Sequence, residues 1–129
     1  MIRIESNETQ ELHNKAQEFL ESIKPLLYTN ECTFRESDKN LKFDKRYPLT
    51  HEQKIGIIKK LDASDCIMTE PNDNPRYKDS EVYAFVKDQI LTIYGEEEPV
   101  TLYIKMYRSD LKSYDVVIVI SFHEEGMFD

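Results

Sequence analysis

The sequence of 129 residues predicts an α+β fold in which two main helices pack on a small antiparallel β-sheet. Two stretches, within residues 7–24 and 50–61, repeat apolar side chains every three or four positions, which is the helical period. The last third alternates apolar and polar residues, the period of half-buried strands. Connections between these strands are short, which favours a meander with the helices on one face. At this length one domain, residues 1–129, is expected, with a core that needs no staples.

In the first helix Asn7 and Gln10 have capping-box spacing, and Leu12, Ala16, Phe19, Leu20 and Ile23 form the apolar stripe. Pro25 is expected to end it after Lys24. Residues 26–36, where Cys32 and Phe34 alternate with polar neighbours, read as a short half-buried strand. Residues 37–47 are polar and charged and read as a loop. Thr50 and Gln53 then open a second helix, with Ile55, Ile58 and Leu61 on one face, Ile57 beside them and Lys54, Lys59 and Lys60 on the far side. Ser64 is a candidate cap for one more turn. Residues 69–80, with Pro71 and Pro75, read as turns. Strands are expected at 82–86, extended by 90–94, at 100–107 and at 115–122, with tips at Gly95 and near Leu111. The last strand is apolar enough to be an inner one.

Composition narrows the function. Lys and Arg number 17 against 25 Asp and Glu, giving a net charge of −8, which repels nucleic acid at long range. The charge is unevenly spread. Residues 35–60 hold eight basic and four acidic side chains, whereas 61–98 hold three and ten. Any RNA contact is thereby directed to the former. No apolar run approaches the roughly 18 residues of a membrane span, and the N-terminus lacks the layout of a signal peptide. Cys32 and Cys66 have no metal-ligand or CxxC spacing, as expected of reduced thiols in a cytoplasmic protein. Phosphate loop, dinucleotide fingerprint, serine elbow and HExxH are missing from the sequence, so neither cofactor nor metal is expected.

His13 and His51 fall on helices, where they are expected to be exposed and inert. His123 instead follows an apolar strand, where a sheet ends and side chains meet solvent. Tyr103 and Lys105 lie two apart and share a face of the preceding strand. A hairpin turning near Leu111 opposes residues whose numbers sum to about 222–226, which brings Tyr103, Lys105 and His123 within reach of one another. A histidine to move protons, a lysine to stabilise a phosphorane and a tyrosine to orient or donate suit metal-free RNA cleavage through the 2′-hydroxyl. The same residues also fit an ordinary solvated sheet face.

The strings "LTHEQKIGIIKKLDASD", "EVYAFVKD", "VTLYIKM" and "DVVIVISFHEE", in that order, resemble the motility quorum-sensing regulator (MqsR) family of toxins over about residues 10–126. The resemblance implies a RelE-like fold and a toxin of a type II toxin–antitoxin system, an mRNA endoribonuclease neutralised by a protein antitoxin. The family's site tyrosine on the middle strand and basic residue after "SF" match Tyr103 and His123. Its lysine and glutamine positions fall near Met68 and Ala84, which are departures. On this reading RNA enters along residues 35–60, meeting Lys42, Lys45, Arg46, Lys54, Lys59 and Lys60, and Tyr103, Lys105 and His123 act on the scissile phosphate. The alternative is a catalytically inactive binding protein on the same fold, engaging a protein partner through its acidic surface.

Overall fold

The computed structural model describes residues 2–109 and 115–126, with side chains from Glu8 onward. Among these residues three α-helices pack with a five-stranded, mostly antiparallel sheet, an α+β fold with one helix more than expected. Helix α1 (Ile2–Tyr28) places Ala16, Phe19, Leu20, Ile23, Leu26 and Leu27 in the core. It starts before Asn7 and runs through Pro25 rather than stopping at it. Proline removes one N–H and crowds the carbonyl four residues back, which normally kinks or ends a helix. Here Leu26 and Leu27 keep the last turn against the core, and Arg108 Nη1 lies 3.5 Å from the Ser22 carbonyl. Thr29 N–H and Oγ1 both donate to Pro25 O, at 3.1 and 3.0 Å. The stop comes at Asn30, whose φ of 62° allows Glu31 N–H to reach back to Leu26 O at 2.8 Å.

Strand β1 (Cys32–Phe34) follows, and then residues 37–47 form helix α2 (Asp38–Arg46) instead of a loop. Ser37 caps it by accepting from Asn40 N–H, and its inward stripe is Asn40, Phe43 and Tyr47. Helix α3 (His51–Lys59) starts at the expected capping box: Gln53 N–H donates to Thr50 Oγ1 at 3.1 Å and Thr50 N–H to Gln53 Oε1 at 2.8 Å. Ile55, Ile57, Ile58 and Leu61 are buried as expected. The short turn at Ala63–Asp65 is capped by Asp62, not Ser64.

Strands β2 (Cys66–Glu70), β3 (Val82–Ile93), β4 (Glu96–Arg108) and β5 (Val117–Glu124) form an antiparallel meander, and β1 joins β5 in parallel. The order across the sheet is β1-β5-β4-β3-β2, so β5 is an inner strand. β3 and β4 are longer than expected, since Glu96, Glu97 and Glu98, which follow Gly95, belong to β4. The tip is Tyr94 and Gly95, both at positive φ (52° and 82°), the two-residue turn whose twist matches a hairpin. The β4–β5 turn centred near Leu111 lies outside the described residues.

Pleating divides the sheet. Leu102, Ile104 and Met106 face the helices and the core with Phe85, Val117, Val119 and Phe122. Tyr103, Lys105 and Tyr107 face the other way. Tyr107 packs there with Tyr77 and Val82 in a second, smaller cluster. Between Lys105 and Met106 the register with β5 shifts, making Ile120 an extra residue in β5.

Candidate functional site

On the face away from the main core lies an open cleft of about 610 Å³. Its floor is Tyr103 and Lys105 of β4 with Ile120, Ser121 and His123 of β5. Arg35, Ser37, Asp38 and Lys39, from the β1–α2 corner, form one wall, and Glu125 and Gly126 close it. Tyr103 and His123 are direct cross-strand partners, as are Lys105 and Ser121. Both pairs sum to 226, the upper end of the expected register. The three residues singled out as a chemical set therefore do line one cavity.

His123 differs from expectation in its surroundings. It is only 6% exposed rather than open to solvent at a sheet end. The Tyr103 ring lies beside it, with centroids 5.6 Å apart and planes tilted by 31°. Its Nδ1 is 2.8 Å from the Glu124 carbonyl oxygen. A carbonyl only accepts, so Nδ1 carries the hydrogen in this contact, and the neutral ring keeps its lone pair on Nε2. The arrangement is that of a histidine held by one nitrogen with the other left for proton transfer.

Lys105 is engaged within the chain. Its Nζ lies 3.0 Å from Glu70 Oε1 on β2. Between them in the sheet is Ala84, opposite Lys105 in β4 and Met68 in β2. A methyl group there leaves the lysine room to lie across β3. The small side chain at Ala84 thus accommodates the ion pair.

The backbone around His123 is fixed by Asn40. Its Nδ2 donates to Arg35 O at 2.8 Å and to Ile120 O at 3.0 Å, and its Oδ1 accepts from Phe122 N–H at 2.9 Å. β1 ends where these contacts begin, so one side-chain amide covers the edge of β5 that no strand pairs. This residue escaped the sequence reading, since nothing local marks an asparagine in a charged run as buried.

The six basic residues expected to meet RNA do not gather at the cleft. Lys42 and Lys45 lie on the outer side of α2, beside the exposed Leu41. Arg46 pairs with Glu124 and Glu98 at 3.4 and 3.6 Å. Lys54 is a correction: it is buried, not on a solvated basic face. Its Nζ contacts Asp44 Oδ1 at 2.6 Å and lies over the rings of Phe34 and Phe122. Burial is tolerated because the counter-charge and two aromatic faces replace water. Lys59 and Lys60 are exposed at the end of α3, with Lys59 4.2 Å from the Tyr28 ring centroid. α1, α3 and the inward stripe of α2 pack on the opposite side of the sheet from Lys105, and among the described residues only the first turn of α2 reaches the cleft from a helix. The cations that do reach the cleft from the corner are Arg35 and Lys39. Arg35 falls at the end of the stretch expected as a strand, and Lys39, though among the lysines able to meet phosphates, falls in the run read as a loop, so neither was placed at the cleft.

Among the described residues no group of three or more His, Cys, Asp or Glu is placed to hold a metal, and no helix is long and apolar enough to cross a membrane. No family model, curated protein or solved structure matches this chain.

Proposed function

We propose that the chain is the toxin of a type II toxin–antitoxin system, a cytoplasmic, metal-free mRNA endoribonuclease whose active site is the β4–β5 cleft. The observation that carries this reading is the Tyr103–His123 cross-strand pair beside Lys105 in one cavity. In the proposed reaction His123 Nε2 takes the proton of a ribose 2′-hydroxyl, and the 2′-oxygen attacks the adjacent phosphorus. Lys105 stabilises the charge that develops on the phosphoryl oxygens. Tyr103 orients the phosphate and donates to the 5′-oxygen as its bond to phosphorus breaks. The products are a 2′,3′-cyclic phosphate and a free 5′-hydroxyl. The order of motifs shared with MqsR-like toxins supports a protein antitoxin as the partner.

Incubating the purified, antitoxin-free chain with RNA in excess EDTA tests this. Cleavage that leaves 2′,3′-cyclic phosphate ends is expected, falling roughly 10²–10⁴-fold in His123→Ala. Folded protein that leaves RNA intact under these conditions would sink the proposal.

A second reading, a non-catalytic protein that binds a partner through its acidic surface, is favoured by one observation: Glu70 already neutralises Lys105. Growth arrest on expression, abolished by Tyr103→Phe with His123→Ala while the fold is kept, would count against it.

A further inference from the structure

We propose that Arg35 and Lys39 form a second phosphate subsite, holding the RNA phosphate next to the scissile one. This rests on the reading of the cleft as an RNA site and assigns two residues that the reaction does not use. Both side chains line the cleft. Among the described residues neither has a carboxylate within ion-pair distance, whereas Lys15, Arg46, Lys54 and Lys105 each hold one. What sets these two apart is their position: both unpaired cations lie on one wall of the cleft that holds Tyr103, Lys105 and His123, where an anionic ligand would meet them.

Their placement is built rather than incidental. Arg35 N–H donates to Val119 O at 2.9 Å and its carbonyl accepts from buried Asn40, so the backbone at Arg35 is tied to β5 directly by its N–H and through Asn40 by its carbonyl. Lys39 sits in the first turn of α2, which Ser37 caps. β5 separates β1 from β4, so the corner stands about two strand spacings, roughly 10 Å, from the strand bearing Lys105. Lys105 leans across β3 toward Glu70, away from the corner. The scissile phosphate therefore belongs over the Tyr103–His123 pair of β4 and β5, about one to two strand spacings from the corner, and the corner cations reach the phosphate beside it. Asp38 and Glu125 also line the cleft. Asp38 lies at the positive end of the α2 dipole, where a carboxylate is favoured without any ligand. The subsite contacts phosphate alone, so it holds the strand without reading bases.

The test uses the full chain and a single-stranded oligoribonucleotide made uncleavable by 2′-O-methylation, its binding followed by fluorescence anisotropy across a salt series. Arg35→Ala and Lys39→Ala are each expected to weaken binding by about threefold to tenfold, and each to reduce the slope of log K against log salt by about 0.7. Lys24→Ala, an exposed change on α1, is the control expected to leave both unchanged. Unaltered affinity and slope in both variants, or no binding by the wild-type chain, overturns the subsite. Weakened binding in the variants with no cleavage of unmodified RNA supports the subsite and removes the ribonuclease reading. Wild-type cleavage that the two variants match in KM does the reverse.

Discussion

Asn40 Oδ1 accepts from Phe122 N–H at 2.9 Å, joining residues 82 apart in the chain directly beside His123. The same amide donates to two carbonyls and is itself only 5% exposed. Asn40→Ala leaves one N–H and two carbonyls in this region without their partner. A loss of about 2–4 kcal/mol of stability is expected, read from urea unfolding. Asn40→Asp is expected to be worse at pH 7 than at pH 4, since a carboxylate faces both carbonyls with no hydrogen to donate.

Glu70→Gln removes the charge that neutralises Lys105. The pair is partly exposed, so stability should change by no more than about 1 kcal/mol. If the cleft takes RNA, the freed lysine tightens its hold, and affinity for an uncleavable oligoribonucleotide should rise. A weaker-binding variant would show that the glutamate supports the site instead of competing for its cation.

The Arg108 guanidinium donates to both oxygens of Asp115, at 2.8 and 2.7 Å, and holds its carboxyl below the usual value of 3.8. A depressed folded pKa gives stability that is present above the unfolded value and is lost as the pH falls through the folded one. Stability should therefore decline as the pH drops from about 4. Asp115→Asn should flatten that acid limb in denaturation midpoints taken from pH 5 to pH 2.5. An unchanged limb would mean that the ion pair does not persist in solution.

Burial pushes the Cys32 thiol up to about 12 and raises that of Cys66. Only thiolate reacts with alkylating reagents. Neither residue should label with iodoacetamide at pH 8 while the chain is folded, and both should label in denaturant. Rapid labelling of the native protein would place a thiol at the surface.

Legibility in the sequence tracked how local each determinant is. Thr50 and Gln53 satisfy one another within a single turn, and that helix start was readable from spacing alone. The Tyr103–His123 pairing was nearly so, because antiparallel register follows from where the chain turns. Helix α2 was not. Its inward stripe contains Asn40, two of whose three partners lie about 80 residues away, and a run rich in lysine and aspartate offers few apolar residues to reveal a period. Missing α2 hid two more features. Asp44 could not be seen as the counter-charge that lets Lys54 be buried, and Arg35 and Lys39 could not be placed on a cleft wall. Pro25 misled for a different reason: long-range packing of Leu26 and Leu27 outweighs the local penalty.

The parallel pairing of β1 with β5 joins residues 32–34 to residues 117–119. Such a contact closes a long loop before it gains anything, which makes it a late step in folding. On a ribosome, a chain emerging at about 5–20 residues per second presents the β1–α2 corner several seconds before β5 exists to receive it. The cleft wall and the cleft floor cannot meet until β5 is in place. A nascent chain of this protein therefore carries no assembled site while most of it has already been made, and whatever the cleft does begins only once β5 and the residues at 125–126 that close the cleft have left the ribosome.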